Sequence, residues 1–171
     1  SDGMMFQLKD SGGNEFTQEY ADLRMRNEPI IEVTQIKGTS ETHPILSPGD
    51  EWADFEILQE LLGGVRVGKI SGSYAREAYL NGLKFQADKG FNPYQFGLTS
   101  ASDSHNASVP VEEDNYTGKI GFDATAEKRT GGSFIKDKHS HSGTQAWNGL
   151  WVEEHTLEDM FDASSSKERF Y

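Results

Sequence analysis

Residues 93–106 read PYQFGLTSASDSHN, a β-prone run that leads directly into a carboxylate and an imidazole. Its first part, 93–101, has the composition of a strand, and the small polar residues that follow predict a turn. Asp103 and His105 therefore stand at the carboxyl end of a predicted strand. Residues two apart on an extended chain point to the same side, so these two side chains could hold one cation between them.

A second strand is predicted earlier in the chain. Residues 29–36, PIIEVTQI, are rich in β-branched side chains, and Glu32 is the single charge in an otherwise apolar run. This pattern predicts a strand that is buried on both faces. The stretch that follows, 37–50, is dense in Gly, Ser, Thr and Pro, and it predicts a loop that carries Glu41 and His43.

The remaining segments complete an α/β pattern of mostly parallel strands with covering helices. Apolar spacing and capping residues predict helices over 17–27, 50–62 and 73–89. Residues 107–149 are rich in Gly, Asp, Lys, Ser and Thr, which predicts a long loop-rich excursion. A last strand is expected over 150–154, and Thr156 caps a helix with the sequence TLEDMFDASSSKERF. No linker is evident, so 1–171 is interpreted as a single partial domain.

The composition excludes several classes of function. Basic residues number 16 against 28 acidic ones, and the formal net charge of −12 argues against a nucleic-acid partner. No stretch approaches the roughly 20 apolar residues of a membrane span, so we expect a soluble chain, with cytoplasmic and periplasmic locations both open. The chain has no cysteine. A metal site would therefore use His, Asp and Glu, which suit zinc, manganese or iron(II).

Two clusters of acids and histidines follow the two predicted strands. They comprise Glu32, Glu41 and His43 for the first strand, and Asp103, His105 and Asn106 for the second. Because loops at the carboxyl ends of parallel strands converge on one crevice, the clusters could meet. Each cluster also has a structural interpretation, since an Asp at a strand end often caps a turn. Glu32 could be a buried carboxylate bonded to backbone amides or an Arg, and both interpretations stay open.

The segment FGLTSASDSHN resembles the closing metal motif of the PHP superfamily, the polymerase and histidinol phosphatase group, in which a strand ends in a small-residue turn and D-x-H. Further segments resemble one large bacterial family of uncharacterised PHP-like hydrolases. They are EPIIEVTQIKGTSETHP, DEWADFE, GSYAREAYLNGL, NPYQFGLTSASDSHN, VEEDNY, LWVEEHTLEDMFDA and KERFY. The resemblance covers nearly the whole chain.

This resemblance implies a distorted (β/α) barrel of the PHP type whose two or three divalent metal ions activate water to hydrolyse a phosphoester or related small molecule. It implies that Asp103 and His105 are metal ligands, that Glu32 lies near the metals, and that Glu41 and His43 contact substrate or support the site. These last three are the candidate catalytic residues, and Asn106 is a candidate for substrate contact. The opening H-x-H and the Pro-His-Asn motif of the family would precede SDGMMF, so we expect a C-terminal piece of a longer enzyme.

Three functional hypotheses remain. In the first, the parent protein is a metal-dependent phosphoesterase and this chain alone is inactive, because two ligands leave most of a cation's coordination to water. Such a piece could also lack bound metal. In the second, the chain is a non-catalytic binding module whose acid and histidine clusters stabilise loops. In the third, exposed strand edges of a truncated barrel pair two copies of the chain.

Overall fold

The computed structural model of the chain describes residues 1–35, 38–55, 57, 67–101, 103, 105, 149–150, 154–166 and 169–170. In chain order its elements are α1 (Gln18–Asn27), β1 (Ile30–Gln35), β2 (Gly38–Thr39), α2 (Ala75–Lys89), β3 (Gly97–Ser100), β4 (Gly149–Leu150), α3 (Leu157–Ser166) and β5 (Arg169–Phe170). No helix in these ranges has the length and apolar character needed to cross a membrane.

The first helix follows local sequence rules. The Thr17 hydroxyl accepts a hydrogen bond from the backbone N–H of Tyr20 at 3.2 Å, which satisfies one of the free amides at the start of α1. The helix ends at Asn27, two residues before Pro29. A residue that precedes proline is biased away from helical angles, which explains why the helix stops here. The prediction of a helix over 17–27 is confirmed.

The start of α2 differs from its prediction. Neither Ser71 nor Ser73, the caps expected for a helix over 73–89, is the N-cap: that position is Tyr74, with no side-chain cap. The Ser73 hydroxyl instead donates to the carbonyl of Lys69 and accepts from the N–H of Gly3. A hydroxyl engaged in these contacts ties the amino-terminal segment to the chain before α2. The helix itself is confirmed, and it ends at Lys89.

The described sheet has three strands in the order β2-β1-β3. Strands β1 and β3 are parallel, and their register places Ile31 beside Leu98 and Glu32 beside Thr99. Strand β2 pairs antiparallel with β1 inside the segment predicted to be a loop, so that part of the prediction is wrong. Strands β4 and β5 are also antiparallel. The described residues thus form a mixed α/β structure, and the barrel stays a prediction.

Strand β1 is buried on one face only. Ile31 and Val33 pack against the core, whereas Ile30 and Glu32 are exposed. The prediction of a strand buried on both faces is therefore wrong. The core lies on one side of the sheet, so a charged Glu32 on the other side stays in water and carries no desolvation cost.

The core is built mainly from aromatic rings. It contains Phe6, Phe16, Ala21, Ala75, Ala78, Phe85, Phe91, Tyr94 and Phe96. Tyr94 and Phe96 belong to the segment before β3, which is why β3 is shorter than the strand predicted over 93–101. The hydroxyl of Tyr94 donates to the carbonyl of Gln7, and burial raises the pKa of Tyr94 above its ordinary value. These contacts join the amino-terminal segment to the sheet through one aromatic layer.

The carboxyl-terminal part confirms one prediction and corrects another. Thr156 accepts a hydrogen bond from the N–H of Asp159 at 3.1 Å, so α3 begins as predicted. The helix ends at Ser166, however, and Arg169–Phe170 forms a strand instead of continuing the helix. Most of the excursion predicted over 107–149 lies outside the described residues. The helix predicted over 50–62 is wrong for its first part, since residues 51–55 form turns, while 56 and 58–62 lie outside the described residues.

Candidate functional site

The parallel pairing of β1 and β3 brings the carboxyl ends of both strands to one edge of the sheet. The N–H of Ala101 donates to the carbonyl of Thr34 at 3.3 Å, so the pairing continues to the ends of both strands. A β-bulge between Glu32 and Thr34 shifts the register at this end. Bulges re-aim the side chains of a strand and are frequent next to functional sites. The two predicted clusters thus begin from neighbouring points.

The side chains of Asp103 and His105 lie close together, although the backbone at Asp103 does not have the extended conformation that was predicted. Asp103 has a φ of +52°, in the left-handed region that few residues other than glycine adopt. The chain therefore turns at Asp103, and the argument from strand alternation is wrong. Nevertheless, Oδ1 of Asp103 lies 3.6 Å from Nε2 of His105. Strained backbone of this kind is concentrated at functional sites.

The 3.6 Å distance between Asp103 Oδ1 and His105 Nε2 limits the kind of interaction that the two side chains can make. It is longer than a hydrogen bond between a nitrogen and an oxygen. Two ligands on one tetrahedral zinc, each about 2.1 Å from the metal, are separated by roughly 3.4 Å. The spacing of the Asp103 and His105 side chains fits an ion pair between the carboxylate and a protonated imidazole, and it also fits two ligands of one cation.

The surroundings of this pair are partly open to solvent. The Asp103 side chain is 23% exposed and the His105 side chain is 60% exposed. In the described ranges, no group of three or more His, Cys, Asp or Glu side chains is placed to hold a metal ion. Asn106, the candidate for substrate contact, lies outside the described residues. Asp103 and His105 thus form a carboxylate–imidazole pair that solvent can reach.

Glu32 lies on the exposed face of the same sheet. Its register partner is Thr99, four residues before Asp103. Four residues of extended chain span at most about 13 Å, so Glu32 and Asp103 belong to the same end of the sheet. Because Glu32 is exposed, its interpretation as a buried structural carboxylate is wrong.

Glu41 is held against the start of α2. The backbone N–H groups of Ala75 and Arg76 donate to the carbonyls of Ser40 and Glu41 at 2.8 and 3.1 Å. The loop thus satisfies two of the amides that a helix start leaves free. The Glu41 carboxylate also lies 3.4 Å from Nε of Arg76. Both its backbone and its side chain are therefore anchored to this helix.

Arg76 joins Glu41 to Asp50. Its Nη1 is 2.5 Å from Oδ2 of Asp50, while Oδ1 of Asp50 accepts the N–H of Trp52 at 2.9 Å. The hydrogen bond from the Trp52 backbone and the Arg76 guanidinium hold the pKa of Asp50 below its ordinary value. The prediction from sequence missed this role of Arg76. A cation in the first helical turn opposes the helix dipole, and that unusual position could have indicated a specific partner.

His43 is buried, with 7% of its surface exposed. Its Nδ1 accepts the N–H of Ile45 at 3.2 Å, and its ring centre is 5.6 Å from that of Tyr74. A neutral imidazole that accepts at Nδ1 carries its hydrogen on Nε2. Only Nε2 then has a hydrogen to donate. His43 is accordingly built into the loop, and whether it contacts substrate stays a prediction.

Comparison with known protein families gives a match over the full length of the chain. The sequence model of a family described as "Protein of unknown function (DUF3604)" matches residues 1–171. No curated protein and no solved structure gives a significant match. The family description states no activity and does not mention the PHP superfamily. Any function must therefore be argued from the residues themselves.

Proposed function

Since the chain belongs to the DUF3604 family over residues 1–171, and its description names no activity, we propose a function from the geometry at the end of the sheet. The chain contributes part of the divalent-metal site of a hydrolase that acts on small phosphorylated molecules. Asp103 and His105 are the proposed ligands, and zinc, manganese or iron(II) is the proposed metal.

The observation that carries this proposal is the 3.6 Å separation of Asp103 Oδ1 and His105 Nε2 at the carboxyl end of a parallel strand pair. Functional residues of parallel α/β proteins are also found at this end of the sheet. Ligand type, spacing and position all agree with metal binding.

The roles of the other candidates follow from their surroundings. A bound divalent ion would supply a water molecule of lowered pKa as the nucleophile. Glu32 is an exposed carboxylate at the same end of the sheet, and it is the candidate acceptor of a proton. Glu41 and His43 fix the loop that borders this region, and the Nε2–H of His43 is a candidate donor to substrate. Asn106 stays a candidate for substrate contact.

The same geometry limits what the chain does alone. Catalytic zinc sites normally have three protein ligands and an open position for water. Two ligands are proposed here, so we expect metal binding that is weak and no hydrolysis by the isolated chain. Activity would require ligands in addition to Asp103 and His105.

A second candidate function is a non-catalytic binding module. It is favoured by the contacts of Glu41 and His43, which are bonded to α2 and to their own loop. In this alternative the acids and histidines stabilise loops, and the Asp103–His105 pair has no affinity for metal.

Metal titration distinguishes the two functions. Calorimetry with Mn²⁺ or Zn²⁺ should show binding to the unmodified chain that Asp103→Ala and His105→Ala each abolish. Asp88→Ala is the matched control, because it removes an exposed carboxylate in α2, away from the end of the sheet. Absence of binding to the unmodified chain, or equal binding by all variants, would favour the non-catalytic module.

A further inference from the structure

Three consecutive backbone amides converge on His43. The N–H of Ile45 donates to Nδ1 of the imidazole at 3.2 Å, and those of Leu46 and Ser47 donate to the His43 carbonyl at 2.8 and 2.9 Å. The hydroxyl oxygens of Thr42 and Ser47, which are 2.7 Å apart, close the same turn. Residues 42–47 therefore form a turn that one histidine organises, and we call it the His43 turn.

The imidazole of His43 has to be neutral for the turn to keep this geometry. Nδ1 accepts the N–H of Ile45 only while it carries no hydrogen of its own. A second proton would place two N–H groups against each other and break that hydrogen bond. Because His43 is buried, the proton would also place a positive charge out of contact with water, which is costly without a partner.

The groups around the His43 turn do not offset such a charge. Tyr74, just before α2, supplies the ring that packs against the imidazole, and burial raises the pKa of its phenol, which is therefore uncharged. Glu41 and Asp50 lie on either side of the turn in the sequence, but both pair with Arg76. Across the part of the chain that the structure describes, no carboxylate forms an ion pair with His43.

The His43 turn is connected both to the sheet and to α2. Just before the turn, the N–H of Ser40 donates to the carbonyl of Val33 at 2.6 Å, within the β-bulge of β1. The carbonyls of Ser40 and Glu41 accept the N–H groups of Ala75 and Arg76 at the start of α2. Opening of the turn would therefore loosen both the amino end of α2 and the loop at the carboxyl end of the sheet.

We propose that the His43 turn is an acid-sensitive latch, closed while His43 is neutral and opened when the imidazole takes up a second proton. Histidine ordinarily changes its charge between about pH 5 and 8, whereas carboxyl, phenol and guanidinium groups ordinarily titrate outside this range. In the open turn the imidazole is in water and both of its nitrogens can carry hydrogen. Acid therefore favours the open turn. The latch uses neither the proposed metal ligands nor a bound metal, so it is independent of the proposed hydrolase function.

Hydrogen exchange of the full chain, measured by NMR at single amides, tests the latch at about pH 7.5 and about pH 5.5. Each rate is divided by the intrinsic rate at the same pH, so that only the opening of the structure is compared. An imidazole in water, with the ordinary histidine pKa of about 6.5, changes the opening equilibrium by about tenfold over this interval. Protection of the amides of residues 45–47 should fall by this factor on acidification. The amides of Ala75 and Arg76 should lose protection with them, whereas those of α1 should not change.

Two histidine variants assign the effect. In His43→Asn the side-chain oxygen can accept the N–H of Ile45 and does not titrate, so the pH dependence should disappear. His155→Asn is the matched control, because His155 is exposed and lies outside the turn, and the pH dependence should persist in it. The change with pH is compared within each variant, so a constant loss of packing from the smaller side chain does not affect the result.

A second measurement does not require a variant. Long-range ¹H–¹⁵N correlation spectra should show His43 as the Nε2–H tautomer at about pH 7.5. The latch is overturned by an Nδ1–H tautomer, by protection of the turn that is equal at both pH values, or by a pH dependence that survives in His43→Asn. A loss of protection in α1 as large as that in the turn would show general acid destabilisation and would also overturn it.

Discussion

Replacing Gly82 with alanine is expected to destabilise the protein, although alanine is the better helix former. Gly82 lies on the buried face of α2, where a Cβ atom would stand 2.2 Å from Oδ1 of Asn92 and 2.9 Å from its Cγ. These separations are shorter than any tolerated contact, so Asn92 must move. Its Oδ1 accepts the N–H of Tyr94 at 2.8 Å, and this hydrogen bond would be lost when it moves.

The magnitude follows from three opposing contributions. Helix propensity favours alanine over glycine by about 1 kcal/mol. Crowding a packed site costs about 1–3 kcal/mol, and an amide left without a partner in a partly buried site costs about 1–3 kcal/mol. The free energy of unfolding should therefore fall by at least about 1 and at most about 5 kcal/mol. The clash outweighs propensity even at the lower limit of both costs.

Urea unfolding followed by far-UV circular dichroism measures this change, and Asn92→Ala supplies the control. In the Asn92→Ala background the obstructing side chain is absent, so Gly82→Ala should become stabilising by about 1 kcal/mol. A change of sign between the two backgrounds is specific to the Gly82–Asn92 contact. If Gly82→Ala raised the free energy of unfolding in the unmodified chain, the proposed close packing of α2 on this side chain would be wrong.

Two further changes test the caps and the acid dependence. Thr17→Ala removes the hydroxyl that accepts the N–H of Tyr20, so the free energy of unfolding should fall by about 1 kcal/mol in urea, and Thr17→Ser should recover most of it. Asp50 has a pKa below its ordinary value of 3.8, because it accepts the Trp52 N–H and contacts Arg76. A carboxyl group whose pKa is lowered in the folded state stabilises the fold at pH values above its ordinary pKa. This stabilisation is lost as the pH falls through the pKa of the folded state. The loss of unfolding free energy caused by Asp50→Asn should therefore be constant near neutral pH and should shrink below about pH 4. A loss that did not change with pH would contradict this role of Asp50.

Some features that depend on neighbours in the sequence were predicted correctly, although the helix predicted from residue 50 is a turn over 51–55. The Thr17 cap and the stop before Pro29 define α1, and Thr156 defines the start of α3. Each rests on contacts between residues three or four apart, which the sequence shows directly. The parallel pairing of β1 with β3 was also anticipated, since two β-prone segments separated by helical sequence favour a parallel crossover.

Features that depend on distant contacts were missed. The amides at the start of α2 are satisfied by the carbonyls of Ser40 and Glu41, more than thirty residues earlier, so no local cap was needed at Ser73. The left-handed backbone of Asp103 was missed because it is not glycine, the residue for which that conformation is common. The exposure of Glu32 depends on which side of the sheet holds the core, and an apolar run does not contain that information.

The occupied start of α2 also determines what would bind a phosphorylated substrate under the proposed hydrolase function. Helix starts often bind phosphate through free amides, but two of those amides in α2 already donate to Ser40 and Glu41. Arg76 faces the carboxylates of Glu41 and Asp50, so its positive charge is already balanced. In this part of the protein, neither these two backbone amides nor the Arg76 guanidinium is available to an anion. The negative charge of a phosphoester would instead fall to the cation proposed at Asp103 and His105. Loss of that cation should then weaken substrate binding as well as the chemical step. A phosphate-containing inhibitor that bound the parent enzyme equally well with and without Mn²⁺ would contradict this assignment.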